Sequence, residues 1–342
     1  DIVFGTHNLH LLKDIVHDAE NGVHRCETAF LDNEKRLDLF PVLSGESRHS
    51  SFVTVMQGCD NYCSYCVVPY LRGPEMSRPP EEILAEIRRL ACCGVKEVTL
   101  LGQNVNSYGK NLAAGCNFVS LIKAIQDVEG IERIRFTTSH PKDLSDDLID
   151  CFGSLSKLCG HIHLPVQSGS NRILGRMNRG YTVEEYGAKV ARLRAVCPSI
   201  SITSDIIVGF PGETAKDYQE TIDMMEKIRF DSLFSFKYSE RKGTAARTFK
   251  DPVPEAEKRR RLKELQALQD GHTQEKNWAL EGSIQEVLVE GPSKNSDLEM
   301  TGRTRSWKIV NFKGGRELVG KKVNVLITRG FLHSLRGRMT ER

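Results

Sequence analysis

The chain has 342 residues, of which 39% are hydrophobic and 27% charged, with ten cysteines and a formal net charge of +3. This length suits one large domain with one or two small ones, and no apolar run of about 18 residues predicts a membrane span. The irregular cysteine spacing argues against a disulfide-built fold and favours a reduced, cytoplasmic compartment. The sequence starts at Asp1 without a signal-peptide pattern, so we expect it to begin inside a longer protein.

Strand and helix patterns alternate along most of the chain. Predicted strands cover residues 52–56, 97–101, 134–137, 161–166, 200–208 and 232–238, and predicted helices cover residues 81–91, 118–128, 144–152, 183–196 and 218–228. Six such β–α units in series predict a parallel sheet with right-handed crossovers. Periodicity alone leaves an open doubly wound sheet and an incomplete barrel as alternatives. In both, the active site lies at the carboxyl ends of the strands.

The pattern changes after residue 253. Residues 254–280 predict a long charged helix whose basic run at 258–261 is either a solvated face or an RNA contact. Strands at 284–289, 305–312 and 323–328 then predict a small all-β barrel of the kind that binds single-stranded nucleic acid. Residues 282–342 have a charge balance of +6 and the remainder −3. This asymmetry indicates an anionic partner, with nucleic acid as the first candidate and a plain solvated surface as the alternative.

Three cysteines, Cys59, Cys63 and Cys66, follow the first predicted strand directly. Three thiolates suit an iron–sulfur cluster, and a 4Fe–4S cluster held by three cysteines leaves one iron open. S-adenosylmethionine (SAM) can chelate that iron, and an electron from the cluster then yields a 5′-deoxyadenosyl radical. A structural zinc ion is the alternative, but it needs a fourth ligand. Tyr65 is either an aromatic wall for the adenine of the cofactor or a core residue.

The sequence around this motif resembles the radical SAM superfamily and, within it, the methylthiotransferases that modify tRNA. The resemblance rests on residues 58–70 (GCDNYCSYCVVPY), 101–108 (LGQNVNSY), 138–141 (TSHP), 164–170 (LPVQSGS) and 235–239 (SFKYS). It implies a partial (β/α)6 radical-SAM barrel followed by a small all-β TRAM (OB-like) barrel. The implied domains are a remnant of an N-terminal methylthiotransferase domain (1–43), the radical SAM core (44–277) and the TRAM domain (278–342).

The same resemblance suggests which residues line the site, while the catalytic residues stay unassigned. It makes Cys59, Cys63 and Cys66 the cluster ligands. The polar or glycine residues expected to line the cofactor and substrate cavity are Gln103, Asn104, Ser139, Gln167, Asp205 and Gly209. Turn and cap chemistry is the alternative role for these six. Arg179 would reach the cofactor carboxylate or an RNA phosphate, and His140 is either an acid–base group or a structural histidine.

The implied reaction adds a methylthio group to carbon 2 of N6-dimethylallyladenosine next to the tRNA anticodon. The alternatives are methylthiolation of threonylcarbamoyl-adenosine in tRNA, methylthiolation of a ribosomal-protein aspartate, and a noncatalytic metal-containing RNA-binding protein. The implied partners are the tRNA anticodon stem-loop and an electron donor such as flavodoxin or ferredoxin, with no membrane and a monomeric chain. The family also carries a second 4Fe–4S cluster as a sulfur source. Only Cys26 precedes the motif and it matches no ligand position of that cluster, so we expect those ligands outside this sequence.

Overall fold

The structure is a computed structural model that describes residues 2–29, 49–112, 115–294 and 296–340. In the first of these ranges, the strands Ile2–Phe4 and Arg25–Glu27 pair in parallel. The 3-10 helix Thr6–Leu11 and the helix Leu12–Glu20 connect them. The predicted domain boundary near residue 43 lies outside the described residues. No helix within the described ranges is long and apolar enough to cross a membrane.

Six parallel strands, here called barrel strands 1 to 6, form the larger body. They are Ser50–Thr54, Glu97–Leu101, Arg133–Phe136, His161–His163, Ser201–Val208 and Ser232–Lys237. Strands 1–2–3 and strands 4–5–6 form two hydrogen-bonded halves, and an isolated parallel bridge between Ile134 and Leu158 joins them. The spatial order equals the chain order, whereas a doubly wound sheet reverses its order at a switch point. The predicted partial barrel is therefore confirmed, and it is open between strands 1 and 6.

Helices cover the outside of this barrel. They are Pro80–Cys92, Phe118–Gln126, Asp146–Ser154, Val183–Val196 and Ala215–Ile228. Each packs apolar residues against the outward-facing residues of the strands, such as Val53 and Val98, in one continuous core. Helix Val183–Val196 begins where predicted, because Thr182 and Glu185 form a capping box at its start. Two short helices, Val68–Arg72 and Asn171–Arg176, were not predicted.

Several predicted boundaries differ from the structure by one to three residues, and two of them were wrong for clear local reasons. Barrel strand 4 ends at His163 instead of residue 166, because Pro165 has no N–H to donate to the ladder. Pairing resumes only as an isolated bridge between Gln167 and Ile206. The helix predicted from residue 144 begins at Asp146, since the Ser145 hydroxyl accepts the backbone N–H of Leu148 and caps the helix there.

The C-terminal module is a closed five-stranded barrel, which confirms the predicted small all-β barrel. Its strand pairs are antiparallel except for one parallel pair. Its strands, here numbered 1 to 5 within the module, are Ile284–Ser293, Ser296–Thr304, Ile309–Lys313, Lys322–Gly330 and Leu335–Met339, and they close in the order 1–2–3–5–4. A 3-10 helix, Arg316–Leu318, precedes the fourth. The second strand was missed because it has few β-branched or aromatic residues. The strand predicted from residue 305 starts at Ile309, because Trp307 adopts a left-handed turn with φ of 69°.

The charged helix Glu255–Trp278 packs on the larger barrel. In its basic run, Arg261 is buried and donates to the Glu213 carboxylate at 2.6 Å. Arg260 is exposed and pairs with Glu257 and Glu264 on its own helix. The run is therefore largely engaged within the protein: Arg260 fits the solvated-face interpretation, whereas Arg261 fits neither a solvated face nor an RNA contact.

The C-terminal barrel is docked at the amino ends of the barrel strands through two buried arginines. The Arg133 side chain is fully buried, and it donates to the Arg303 carbonyl at 2.9 Å and to Glu286 Oε1 at 2.8 Å. Arg135 donates to Glu97 Oε2 at 2.9 Å and to the Thr304 carbonyl at 2.8 Å. Guanidinium groups bridge two structural units well because one fork satisfies several acceptors at fixed angles. The small barrel thus forms a floor under the larger one.

Candidate active site and barrel lumen

The cysteine loop follows barrel strand 1, and the backbone at the start of the loop is held in place by close contacts and hydrogen bonds. Gly58 has a positive φ of 78°, and a Cβ there would lie 1.9 Å from the Pro74 carbonyl oxygen. Only glycine allows this close approach. The Gly58 N–H donates to Gln103 Oε1 at 2.7 Å, and the Cys59 N–H donates to the Gly73 carbonyl at 3.2 Å. The loop is therefore held at the carboxyl end of the barrel, where the sequence predicted the active site.

The three thiols of the motif lie in one neighbourhood. Burial raises the pKa of Cys59 to about 11, with further increases from the charges of Glu75, Cys63 and Cys66. Burial also raises the pKa of Cys66. Backbone and side-chain N–H groups point at these sulfurs, from Asn61 to Cys59 at 3.7 Å and from Val68 to Cys66 at 3.5 Å. Such donors stabilise thiolates once a metal replaces the protons.

Within the described ranges, no three His, Cys, Asp or Glu side chains are placed around one point to hold a single metal ion. A 4Fe–4S cluster bonds each of its cysteines through a separate iron. A cradle of three soft thiols, each with an N–H or guanidinium donor nearby, fits the donor chemistry of that cluster.

Two residues converge on the buried Cys63. Arg179 Nη1 lies 3.3 Å from the Cys63 sulfur, while its Nη2 donates to the Pro165 carbonyl at 2.7 Å. His140 Nε2 lies 3.9 Å from the same sulfur, and its Nδ1 accepts the Lys142 N–H at 3.2 Å. That acceptor role leaves the proton on Nε2, facing the sulfur. Burial, with the charge of Arg179, lowers the pKa of His140 to about 2, so the ring is neutral.

Tyr65, one of the predicted lining residues, lies beside Arg179, and Ser139, another, directly precedes His140 in the chain. The Tyr65 hydroxyl lies 3.4 Å from Arg179 Nη1, and its ring packs against a small cluster that includes Phe210 and Tyr238. Burial raises the pKa of Tyr65 well above its usual value. Ser139 Oγ is buried and has no hydrogen-bond partner among the described residues. A buried hydroxyl without a partner in the protein is a place where a ligand group can be accommodated.

The other predicted residues divide between the loop, the protein interior and the lumen. Gln103 holds the cysteine loop, as described above. Asn104 is used within the protein, because its amide donates to Asp143 Oδ2 at 2.7 Å and accepts the His140 N–H at 3.1 Å. Gln167 has a positive φ of 73° and exchanges backbone hydrogen bonds with barrel strand 5.

Asp205 and Gly209 complete the predicted set. Asp205 lies 3.4 Å from His163 Nε2 in the lumen. Gly209 has a positive φ of 71°, which favours glycine, and it packs against the Lys258 side chain of the long helix. Within the described ranges, no hydrogen bond or ion pair joins these two residues, Asn104 or Gln167 to the three thiols.

Sequence reasoning missed a cavity of about 470 Å³ in the lumen. Its side walls carry two rings, Phe52 and Phe234, and its floor is Trp307 of the C-terminal barrel. Trp307 stacks on His161 at 5.8 Å between ring centroids, with the Arg135 guanidinium 4.6 Å from its ring. The signal in the sequence was the alternation in barrel strand 6, whose phenylalanines occupy the face opposite to the one that packs into the core.

Two sequence-profile matches agree with the two barrels. Residues 53–225 match the Radical SAM superfamily, and residues 279–340 match the TRAM domain. Among solved structures, coproporphyrinogen III oxidase from Escherichia coli, described as a radical SAM enzyme, superposes with a TM-score of 0.51 at 17% sequence identity. The match covers 67% of this chain and 54% of that one. At this identity the likeness shows the shared fold alone.

Curated relatives match nearly the whole chain. A tRNA-2-methylthio-N(6)-dimethylallyladenosine synthase of Syntrophus aciditrophicus is 58% identical over 340 residues, covering 99% of this chain and 74% of the relative. Proteins of the same name from Geotalea uraniireducens and Geobacter sulfurreducens are each 55% identical over 99% of this chain, covering 77% and 76% of those relatives. The chain therefore belongs to the family of the tRNA-2-methylthio-N(6)-dimethylallyladenosine synthases, within the Radical SAM superfamily.

Proposed function

We propose that this chain carries the radical-generating centre for methylthiolation of carbon 2 of N6-dimethylallyladenosine, next to the anticodon of tRNA. The observation that supports this most strongly is 55–58% identity, over 99% of the chain, to relatives with that name. The cysteine loop at the carboxyl end of the barrel supports the same reaction class. The three-part division at residues 43 and 277 belongs to the proposal.

In this proposal Cys59, Cys63 and Cys66 hold a 4Fe–4S cluster, and its open iron binds SAM. When bound, the pair supplies a 5′-deoxyadenosyl radical that takes a hydrogen atom from the substrate. The protein's part is to hold the groups in place. Arg179 and His140 direct N–H groups at the Cys63 sulfur, and the Tyr65 hydroxyl lies 3.4 Å from Arg179 Nη1. The buried Ser139 hydroxyl, which has no partner among the described residues, can accept a ligand group. Gln103 keeps the loop in register with barrel strand 2.

The remaining parts of the proposal concern partners. The tRNA anticodon stem-loop is the substrate, the basic TRAM barrel contributes to holding its backbone, and binding weakens with rising salt. A flavodoxin or ferredoxin supplies the electron. The chain acts as a monomer in the cytoplasm. A second 4Fe–4S cluster supplies the sulfur, and no cysteine of this chain is assigned to it.

The test isolates the radical step, because that step needs neither the sulfur source nor the methyl transfer. The chain is reconstituted anaerobically with iron and sulfide, reduced with dithionite, and mixed with SAM and tRNA carrying deuterium at carbon 2 of the dimethylallyladenosine. We expect deuterium in the 5′-deoxyadenosine, measured by mass spectrometry. Cys59→Ala is expected to abolish the product, whereas Cys92→Ala, at an exposed cysteine outside the motif, is expected to leave it unchanged.

Matched substrates separate the alternatives. Unmodified tRNA, threonylcarbamoyl-adenosine tRNA and a ribosomal-protein peptide replace the prenylated tRNA in parallel reactions. Deuterium transfer from the threonylcarbamoyl-adenosine or peptide substrate alone would reassign the reaction. A reconstituted chain that binds tRNA, contains zinc and forms no 5′-deoxyadenosine would instead support the noncatalytic RNA-binding protein.

A further inference from the structure

Two phenylalanines face into the lumen from the two strands that border the opening of the barrel. Phe52 lies on barrel strand 1 and Phe234 on barrel strand 6, and their side chains are 62% and 59% exposed. Their chain neighbours Val53 and Leu233 point the other way and pack in the core. Because side chains alternate across a strand, both rings must project to the inner face. Exposing two large rings on one inner surface is a cost that a bound apolar group would remove.

Both rings line the same cavity of about 470 Å³. That volume lies in the range of small-molecule sites, which hold mostly apolar walls and a few placed polar groups. Here the polar groups next to the rings are hydroxyls and imidazole. Thr99 lies opposite Phe52 in the strand register, and His163 meets the edge of Phe234 at 6.1 Å between centroids.

The cations at the cavity wall already have partners. Arg135 is bonded to Glu97 and to carbonyls of the C-terminal barrel. Lys308 lies 3.6 Å from Asp231, and burial lowers its pKa. Arg303 is 3.0 Å from Glu290. A ligand carboxylate or phosphate would therefore have to displace an existing ion pair, whereas a neutral apolar group would not.

The cavity is also continuous with the RNA-binding module. His333 and Ser334, in the turn between the last two strands of the C-terminal barrel, line it together with Phe52 and Phe234. An RNA strand held by that barrel can therefore place a splayed base at the opening. The cysteine loop lies at the other end of the same lumen.

Resting on the proposed function, we propose that Phe52 and Phe234 hold the dimethylallyl substituent of the target adenosine and so determine the preference for prenylated tRNA. In this arrangement the branched five-carbon group lies between the two rings, and each ring contacts it from its own side of the opening. Contact with both rings directs the N6 side of the base toward the lumen wall. The two residues bind substrate and set specificity, and they take no part in proton or radical transfer.

The test measures binding, so it does not depend on a cluster or on turnover. Dissociation constants of the whole chain are measured for two synthetic anticodon stem-loop RNAs, with and without the dimethylallyl group. We expect the unsubstituted chain to bind the prenylated RNA at least about tenfold more tightly, because a single methylene in an apolar pocket is already worth about 10- to 200-fold. Phe234→Ala and Phe52→Ala are each expected to reduce the ratio of the two dissociation constants to about twofold. Phe234→Leu is expected to keep about half of the logarithm of that ratio.

Leu298→Ala is the matched control, because Leu298 is equally apolar, 79% exposed and located on the C-terminal barrel. It is expected to keep the ratio. An unchanged ratio in both alanine variants, an equal loss of affinity for both RNAs, or no preference in the unsubstituted chain would overturn the inference. Failure of the proposed function has a different signature. The chain would then bind prenylated RNA preferentially yet transfer no deuterium from carbon 2.

Discussion

The two ends of the barrel lumen are built in opposite ways. At the carboxyl end, the polar groups are held in place before any ligand arrives: Cys63 has two donors beside its sulfur, and the loop is pinned through Gly58 and Gln103. Toward the amino end, Phe52 and Phe234 stand open above a floor supplied by the C-terminal barrel.

This difference follows from what each end must bind. Buried thiols and cations are costly unless they are paired, so a site for a permanently resident charged group needs its partners built in. An apolar substituent that arrives and leaves with each RNA needs only an apolar surface of fitting shape. Its binding free energy therefore depends little on how firmly the surrounding side chains are held beforehand. The contrast predicts that the two ends can be damaged independently.

The largest effect is expected at the carboxyl end. Cys59→Ala removes one of three proposed cluster ligands, so we expect the reconstituted chain to lose the cluster's visible absorbance and more than about 10³-fold of its SAM cleavage. Iron analysis and 5′-deoxyadenosine formation measure the two losses. Affinity for the prenylated stem-loop RNA should remain within about twofold of the unsubstituted chain. A joint loss of cluster and RNA preference would contradict the independence of the two ends.

The second-largest effect is expected from a substitution that weakens the contact between the C-terminal barrel and the larger barrel. Arg133→Ala leaves the Glu97 and Glu286 carboxylates without their shared guanidinium, and removing one partner of a buried ion pair typically costs about 3–5 kcal/mol. Urea unfolding can be followed by the fluorescence of Trp278 and Trp307. Arg192→Ala is the control, because its pair with Asp146 and Asp150 is on the surface and should contribute less than about 1 kcal/mol. Equal losses in the two variants would show that the docking is weak.

Much of the radical-SAM barrel and the cysteine loop could be predicted because their signals are local. The order of strands and helices follows from periodicity, and the helix after Thr182 begins where its capping box places it. The cysteine motif indicates its chemistry through residue type and spacing alone. Pro165 was visible in the sequence too, yet whether a strand continues past a proline depends on its neighbour in the sheet.

The features that the sequence did not reveal depend on contacts between distant parts of the chain, including the contact made by the predicted site residue Arg179. Arg179 is 116 residues from the Cys63 sulfur that it touches, and Arg133 is 153 residues from Glu286. Phe234 appears in the sequence as an ordinary strand residue, and only the open barrel leaves its ring exposed. The helix ending at Trp278 shows the converse case, because its basic run left a solvated face and an RNA contact as alternatives whereas Arg261 is buried against Glu213.

Arg179 allows a more graded test of the carboxyl end. Its cation and N–H group beside the Cys63 sulfur should stabilise the reduced, more negative cluster, so Arg179→Met is expected to make the midpoint potential more negative. We also expect cluster retention to fall by about 10- to 100-fold, as for other groups that orient metal ligands. Potentials come from redox titration followed by electron paramagnetic resonance. Arg179→Lys should give an intermediate potential, and Arg241→Met, at an exposed site, none of the change. An unchanged potential in Arg179→Met would assign Arg179 to packing alone.

The smallest expected effect tests the floor through pH. Burial, together with the charge of Arg135, lowers the pKa of His161 well below its usual value near 6.5. His163, Arg303 and Lys308 also face this ring and act in the same direction. The unfolded chain therefore binds a proton below about pH 6.5 that the folded chain does not. The free energy of unfolding is therefore not reduced by this group above about pH 6.5. Below that pH it falls by up to about 1.4 kcal/mol for each pH unit.

His161→Gln removes the titrating ring while keeping a polar side chain at the floor. We expect its free energy of unfolding to fall less steeply than that of the unsubstituted chain between pH 6.5 and pH 5, by up to about 1.4 kcal/mol per unit. Urea titrations at fixed ionic strength measure both slopes, and His333→Gln, at an exposed histidine of the same cavity, serves as the control. If His161→Gln and the unsubstituted chain have parallel slopes, protonation of His161 does not oppose docking of the floor, and the stack on Trp307 must tolerate a charged imidazole.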